Sequence, residues 1–238
     1  MALMSSGMIR RYGRHAAVRR ALLRFTVFLP LGLALPAAAH AQGQPAGGQP
    51  APVSVLMLGD SITAGYGLAQ GEALPARLEA RARAAGRPVR IIAAGVSGDT
   101  TAGGRARLDW ALADRPQAVI VALGGNDGLR GIPPAETYAN LADILARLKA
   151  AGLPVLLAGM LAPPNLGAEY GRDFAATFHR LAGAHPEAVF YPFLLEGVAG
   201  DPALNQADRI HPNPQGAEEV ARRMLPALQE LLSKVQGG

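Results

Sequence analysis

Five short apolar runs, often β-branched and ending near glycine or asparagine, constrain this chain more than any other feature. They are Val53–Leu58, Val89–Ala94, Ala118–Leu123, Pro154–Met160 and Ala188–Tyr191. Between them, apolar residues recur at three- and four-residue spacing, as in "ARLEARARAA" and "TYANLADILARLKAAG". That spacing predicts helices with one buried face. The second stretch stops at Gly152, ahead of Pro154, an ordinary helix ending. Strands apolar along their whole length and alternating with helices predict an α/β fold, its parallel sheet covered on both faces. A last helix over Gln215–Val235 closes the domain, and neither a repeat nor a second domain is visible.

The pattern begins only after residue 52. Residues 1–41 carry six arginines and no acid, then the apolar run "FTVFLPLGLALPAAA", then "AHA" at Ala39–Ala41. A basic start, a short apolar middle and an Ala-x-Ala ending predict an export signal cleaved near Ala41, leaving a periplasmic or secreted chain. Pro30 and Pro36 interrupt the apolar run, which is short for a membrane span, so no stable membrane anchor is expected after cleavage. The pairs Arg10-Arg11 and Arg19-Arg20 leave the general and twin-arginine export routes both open. The segment "QGQPAGGQPAP" (42–52) reads as a flexible linker, and 53–238 as the folded domain.

The leader also explains the net charge of +5. Removing its six arginines from the 23 Lys and Arg leaves 17 against 18 Asp and Glu. No basic stripe with interleaved aromatics survives, which argues against nucleic acid as a partner. With no cysteine, neither disulfides nor a lipid-modified cysteine can hold the exported chain.

In open α/β sheets, ligands bind beyond the carboxyl ends of the strands. Three glycine-rich polar segments fall there: "GDSITAG" after the first strand, "GVSGDT" after the second and "GGNDG" after the third. A fourth, "ADRIHPN", precedes the last helix. Together they predict one site.

Of the histidines beyond the leader, His179 lies within a helical stretch and His185 at its end, both fitting solvated or capping roles. His211 differs, because Asp208 precedes it by three residues in a turn. A carboxylate there reaches the near imidazole nitrogen, fixes the tautomer and leaves the far nitrogen free as a base. Among the serines, Ser54 lies in a strand and Ser233 in a helix, while "GVSGD" around Ser97 misses the nucleophile-elbow pattern. Ser61 stands just past a strand beside Gly59, fit for a nucleophile and equally for a helix N-cap. Acyl transfer also needs donors for a developing oxyanion. The candidates are the N–H groups of Gly98 and Ser61 and the side-chain amide of Asn126, which also suits an ordinary turn.

The blocks "LGDSITAGYG", "GVSGDTTAGGRARL", "LGGNDGLRGIPP" and "DRIHPN", in this order, closely resemble the SGNH branch of the GDSL esterase/lipase family. The likeness is to its periplasmic thioesterase/lysophospholipase (arylesterase) type. The stretch "NLGAEYGRDFAATFHRLA" extends it over nearly the whole folded chain. The resemblance implies a three-layer, flavodoxin-like fold with a five-stranded parallel sheet. It implies Ser61 as nucleophile, Asp208 and His211 completing a triad, and Ser61, Gly98 and Asn126 as the oxyanion hole. Ile62 departs from the family's namesake leucine, a conservative change. The implied activity is hydrolysis of acyl esters and thioesters, with small esters, thioesters or lysolipids as substrates. No metal and no cofactor are expected, and the resemblance leans to a monomer.

The loops 127–136 and 195–206 are expected to flank the acyl site, with Asp127, Leu129, Arg130 and Ile132 as candidate substrate contacts. A carbohydrate O-acetylesterase on the same fold is an alternative. A metal-dependent phosphoesterase is a more distant one, since such sites need several His and Asp ligands and only one histidine is well placed.

Overall fold

The computed structural model describes residues 51–236. The expected leader, 1–41, and all but the last two residues of the expected linker lie outside the described residues. The strands are β1 Val53–Gly59, β2 Val89–Gly95, β3 Ala118–Ala122, β4 Val155–Ala158 and β5 Val189–Tyr191. The helices are α1 Ser61–Ala64, α2 Leu74–Ala84, α3 Thr101–Ala106, α4 Leu108–Leu112, α5 Gly125–Leu129, α6 Pro134–Ala150, α7 Ala168–Ala184 and α8 Pro214–Gln236.

All five strands are parallel and lie in the order β2-β1-β3-β4-β5, as the flavodoxin-like reading requires. Central strands explain the uninterrupted apolar runs. Val55–Leu58 of β1 and the whole of β3 are buried, each large side chain contributing roughly 1.5–3 kcal/mol. Strand β2, at the sheet's edge, is buried only in part. Helix α2 packs with α8, while α6 packs with α3 and α7. Opposite directions of travel along the sheet, from β1 to β2 and from β3 to β5, put these two groups on opposite faces.

The elements depart from the sequence pattern mainly at their ends. Helices α2 and α6 start two to three residues early because Pro75 and Pro134 occupy first-turn positions, where a missing N–H costs nothing. Helix α6 is capped by Ala151 and followed by Gly152, whose φ of 68° lets the chain reverse. Strand β4 starts later than its apolar run because Pro154 has no N–H to donate, while at its far end Gly159 still bonds to Tyr191 O (2.8 Å) before the chain leaves the sheet.

Register fixes where the loops emerge. Gly59 at the end of β1 pairs with Gly95 of β2 and with Ala122 of β3, so three strands finish at one level. Strand order reverses between β1 and β3, and a crevice opens at such a switch point.

Candidate active site

Strand β1 delivers Ser61 to that crevice. Asp60, not Ser61, is the N-cap of α1, its carboxylate accepting from Ile62 N (3.0 Å). The capping role considered for the serine is therefore already filled, and the Ser61 hydroxyl is free for other bonds. Helix α1 sits so close over the end of β2 that a Cβ on Gly95 would collide with Ala64 N and Asp60 O. Asp60 is almost fully buried, and that desolvation pushes its carboxyl up to about 6, against the Ile62 N–H and the positive side of His211.

The far end of the chain supplies the imidazole. His211 Nε2 lies 2.8 Å from Ser61 Oγ, and His211 Nδ1 lies 2.6 Å from Asp208 Oδ2. The other Asp208 oxygen accepts from the N–H groups of Ile210 (2.9 Å) and His211 (3.0 Å). Desolvation works to raise the Asp208 pKa, but these two amides and the imidazole outweigh it and hold the carboxyl at about 2. It is an anion throughout the neutral range, placed to orient Nδ1–H and to stabilise an imidazolium. The Tyr66 ring packs on His211 at 4.6 Å between centroids. Gln206 ties the two loops together, its amide donating to Tyr66 O (2.8 Å) and Pro212 O (3.0 Å).

Two more loops face Ser61. Gly98, at φ 84°, turns the segment after β2 in a conformation that disfavours any side chain. Neither its N–H nor that of Ser61 has an acceptor among the described residues. Asn126, in the first turn of α5, donates from Nδ2 to Asp99 O (2.9 Å). Its other amide hydrogen faces Asp60 Oδ2 at a long 3.4 Å, a weak bond that an oxyanion can replace. Arg107 braces this arrangement from below, donating to Asp99 Oδ2 (2.6 Å), Gly59 O (2.8 Å) and Ala94 O (3.0 Å).

A cavity of about 530 Å³ opens beside Ser61, Asn126 and His211. Its walls are mainly apolar: Leu129, Met160, Leu161, Ala162 and Pro163 on one side, Phe193, Leu195 and Ile210 on the other. That volume falls within the roughly 300–1,000 Å³ usual for small-molecule sites. Among the described residues, no three His, Asp or Glu side chains converge to hold a metal ion.

The profile of the GDSL-like Lipase/Acylhydrolase family matches residues 57–219, which span all the groups just described. The chain belongs to that family. This GDSL-family hydrolase is 40% identical over 185 residues to the esterase TesA of Pseudomonas aeruginosa, covering 77% of this chain and 92% of that one. It is 38% identical over 181 residues to thioesterase 1/protease 1/lysophospholipase L1 of Escherichia coli, covering 76% and 85%. Among solved structures, AlinE4, an SGNH-hydrolase family esterase, superposes with a TM-score of 0.64 at 47% identity, covering 76% and 97%.

The structure brings Ser61, Asn126 and His211 of this GDSL-family chain to one cavity, with Asp208 bonded to His211 and Gly98 in the loop whose Asp99 carbonyl holds Asn126. It separates the four candidate substrate contacts. Only Leu129 lines the cavity. Asp127 needs correcting: it is fully buried, and it accepts from Thr101 N (2.8 Å), Thr101 Oγ1 (2.5 Å) and Thr137 Oγ1 (3.2 Å). It locks α3, α5 and α6 together and cannot meet substrate. Ile132 also lies off the cavity, its backbone carbonyl accepting from Tyr170 Oη (2.7 Å). Arg130 is exposed and donates to Gly98 O (2.7 Å), bracing the turn rather than lining the cavity.

Sequence reasoning passed over Asp60, Tyr66, Arg107, Gln206 and the wall Met160–Pro163. The wall had a signal, because "GMLAPP" follows the fourth strand and obeys the same carboxyl-edge rule as the other loops. His179 is exposed with its ring edge-on to Phe190, and His185 ends α7.

Proposed function

We propose that this protein is an exported serine hydrolase of acyl esters and thioesters, acting through an acyl-enzyme on Ser61. The observation that carries this reading is the unbroken relay from Asp208 through His211 to the Ser61 hydroxyl, at 2.6 and 2.8 Å. His211 Nε2 takes the hydroxyl proton as Oγ attacks the acyl carbon. The developing oxyanion accepts from the N–H groups of Gly98 and Ser61 and from Asn126 Nδ2. Each preorganised donor of this kind contributes roughly 2.7–4 kcal/mol to lowering the barrier. The imidazolium, stabilised by Asp208, returns its proton to the departing alcohol or thiol. Water, activated by the same nitrogen, then attacks the acyl-enzyme and releases the acid.

The apolar cavity favours aliphatic acyl groups over an acetylated sugar, whose hydroxyls would find few partners on walls of Leu, Met, Pro and Phe. Esters, thioesters and lysolipids with a short or medium chain are the substrate classes that fit. Export rests on the N-terminal sequence; no described helix is long and apolar enough to cross a membrane.

Replacing Ser61 by Ala tests the mechanism. Turnover of p-nitrophenyl butyrate and octanoate is expected to fall by roughly 10⁴–10⁶-fold, with the thermal unfolding transition preserved. A folded Ser61→Ala variant that retains a tenth of the activity would end this reading.

A further inference from the structure

The histidine-bearing loop presents a cation that no other described residue engages. Arg209 stands between Asp208 and Ile210 with φ at 58°, a left-handed conformation strained for any residue carrying a Cβ. Backbone bonds fix that turn. Arg209 N donates to Gln206 O (2.9 Å), and the next two amides donate to Asp208 Oδ1. Glycine would hold the same turn with less strain, so the loop's geometry does not account for an arginine. The side chain is exposed, and among the described residues no carboxylate or carbonyl pairs with its guanidinium. Arg115 is also left-handed (φ 49°), but it lies in the turn before β3, at the opposite edge of the sheet. Backbone conformation alone therefore assigns nothing. What distinguishes Arg209 is that it lines the same cavity as Ser61 and His211.

Its position also chooses a side of the reaction. Gly98 and Asn126 face the developing oxyanion, whereas the leaving group must depart towards His211 Nε2 to receive a proton. Arg209 belongs to the His211 loop and lines the cavity with Ser61 and His211, so it is within reach of a group that departs towards Nε2. Around it the rim is aliphatic, with Ile210, Leu161 and Leu129 all substantially exposed. An uncommitted guanidinium within an aliphatic rim complements an amphiphile whose anion sits a few bonds from the scissile ester. Guanidinium forks suit phosphate oxygens in particular.

Building on the proposed acyl hydrolase, we propose that Arg209 binds a phosphate on the leaving group and directs the enzyme towards acyl esters of phosphorylated alcohols. Two matched substrate pairs test this. One is 1-decanoylglycerol 3-phosphate against 1-decanoylglycerol; the other is decanoyl-CoA against the decanoyl thioester of N-acetylcysteamine. The readout is the ratio of kcat/KM within each pair, in which any loss common to both members cancels. The wild type is expected to favour the glycerophosphate ester. Arg209→Gly, which relieves the strained backbone, should reduce that preference by roughly 10–100-fold, the worth of one or two charge-assisted hydrogen bonds. Arg209→Lys should keep part of it. Collapse of the glycerophosphate ratio assigns the site to a phosphate a few bonds from the ester; collapse of the thioester ratio alone, in a substrate whose phosphates lie many bonds from the scissile bond, would overturn that placement. Ratios equal in wild type and Arg209→Gly for both pairs, with the neutral substrates still turned over, would overturn the role of Arg209 and leave the acyl hydrolase standing. Failure of the wild type to cleave any of the four would overturn both.

Discussion

Two cavities at opposite edges of the sheet carry similar raw material and very different chemistry. The one at the amino ends of β4 and β5 measures about 340 Å³ and is bordered by Lys149, His185, Glu187 and Lys234. It has a histidine, an acid and two lysines, yet Glu187 engages all of them. Its carboxylate takes Lys149 Nζ (2.9 Å) and lies 3.5 Å from His185 Nδ1, and its backbone carbonyl accepts from Lys234 (3.0 Å). The bond from Lys149, its own backbone and His185 together hold that carboxyl at about 2. At the carboxyl ends, by contrast, groups are left uncommitted or held against their preference. Asp60 is pushed up to about 6, the N–H groups of Ser61 and Gly98 await an acceptor, and Arg209 pairs with nothing described. A cavity with titratable side chains is thus not yet a site. What marks one is a partnered relay that ends on a free nucleophile, beside donors that have no acceptor.

Beyond loss of the Ser61 hydroxyl itself, the contrast is sharpened most by Asn126→Ala. Removing one oxyanion donor is expected to lower kcat by roughly 10²–10³-fold with little change in KM. Steady-state kinetics on a p-nitrophenyl ester checks this, and a change confined to KM would reassign Asn126 to ground-state binding.

The next effect is on stability, and its sign is unusual for an acid. Because the folded-state pKa of Asp60 lies above its ordinary value, the native chain holds this proton more tightly than the unfolded one. Stability therefore falls as pH rises from about 4 to 6, and an ionised, buried Asp60 costs about 3 kcal/mol at neutral pH. Asp60→Asn keeps an oxygen to cap Ile62 N and removes that cost. Denaturant titrations at pH 4.5 and 7.5 should show the variant gaining on the wild type as pH rises. Parallel profiles would mean that burial does not strain Asp60.

The smallest effect is expected at the other cavity. Glu187→Gln breaks the cluster there, yet turnover should stay within about twofold, since the Lys149 charge it frees is exposed and the cluster lies at the opposite edge of the sheet from Ser61. A tenfold loss measured on the same ester would erase the distinction between the two edges.

Much of this was legible in the residues themselves. Central parallel strands are buried on both faces, so Val55–Leu58 and Ala118–Ala122 announce themselves as apolar runs, and the carboxyl-edge rule turns their endings into an address. The Asp208–His211 pair is visible because it is local, closed by one turn. Asp127 was misread because its burial is made elsewhere: Thr101 and Thr137, 26 and 10 residues away, supply the bonds that let a carboxylate sit in the core. Asp60 was overlooked for a similar reason, since nothing in "GDS" says that α1 will close over the end of β2 and exclude water. Tyr66 and Gln206 meet across 140 residues, a contact that no local pattern encodes.

One labelling experiment bears on the central claim most directly. A p-nitrophenyl alkylphosphonate should release one equivalent of p-nitrophenol per chain, and peptide mass spectrometry should find the phosphonyl group on Ser61 alone. An adduct on Ser54, Ser97 or Ser233, or no adduct from an enzyme that still cleaves p-nitrophenyl esters, would contradict the account.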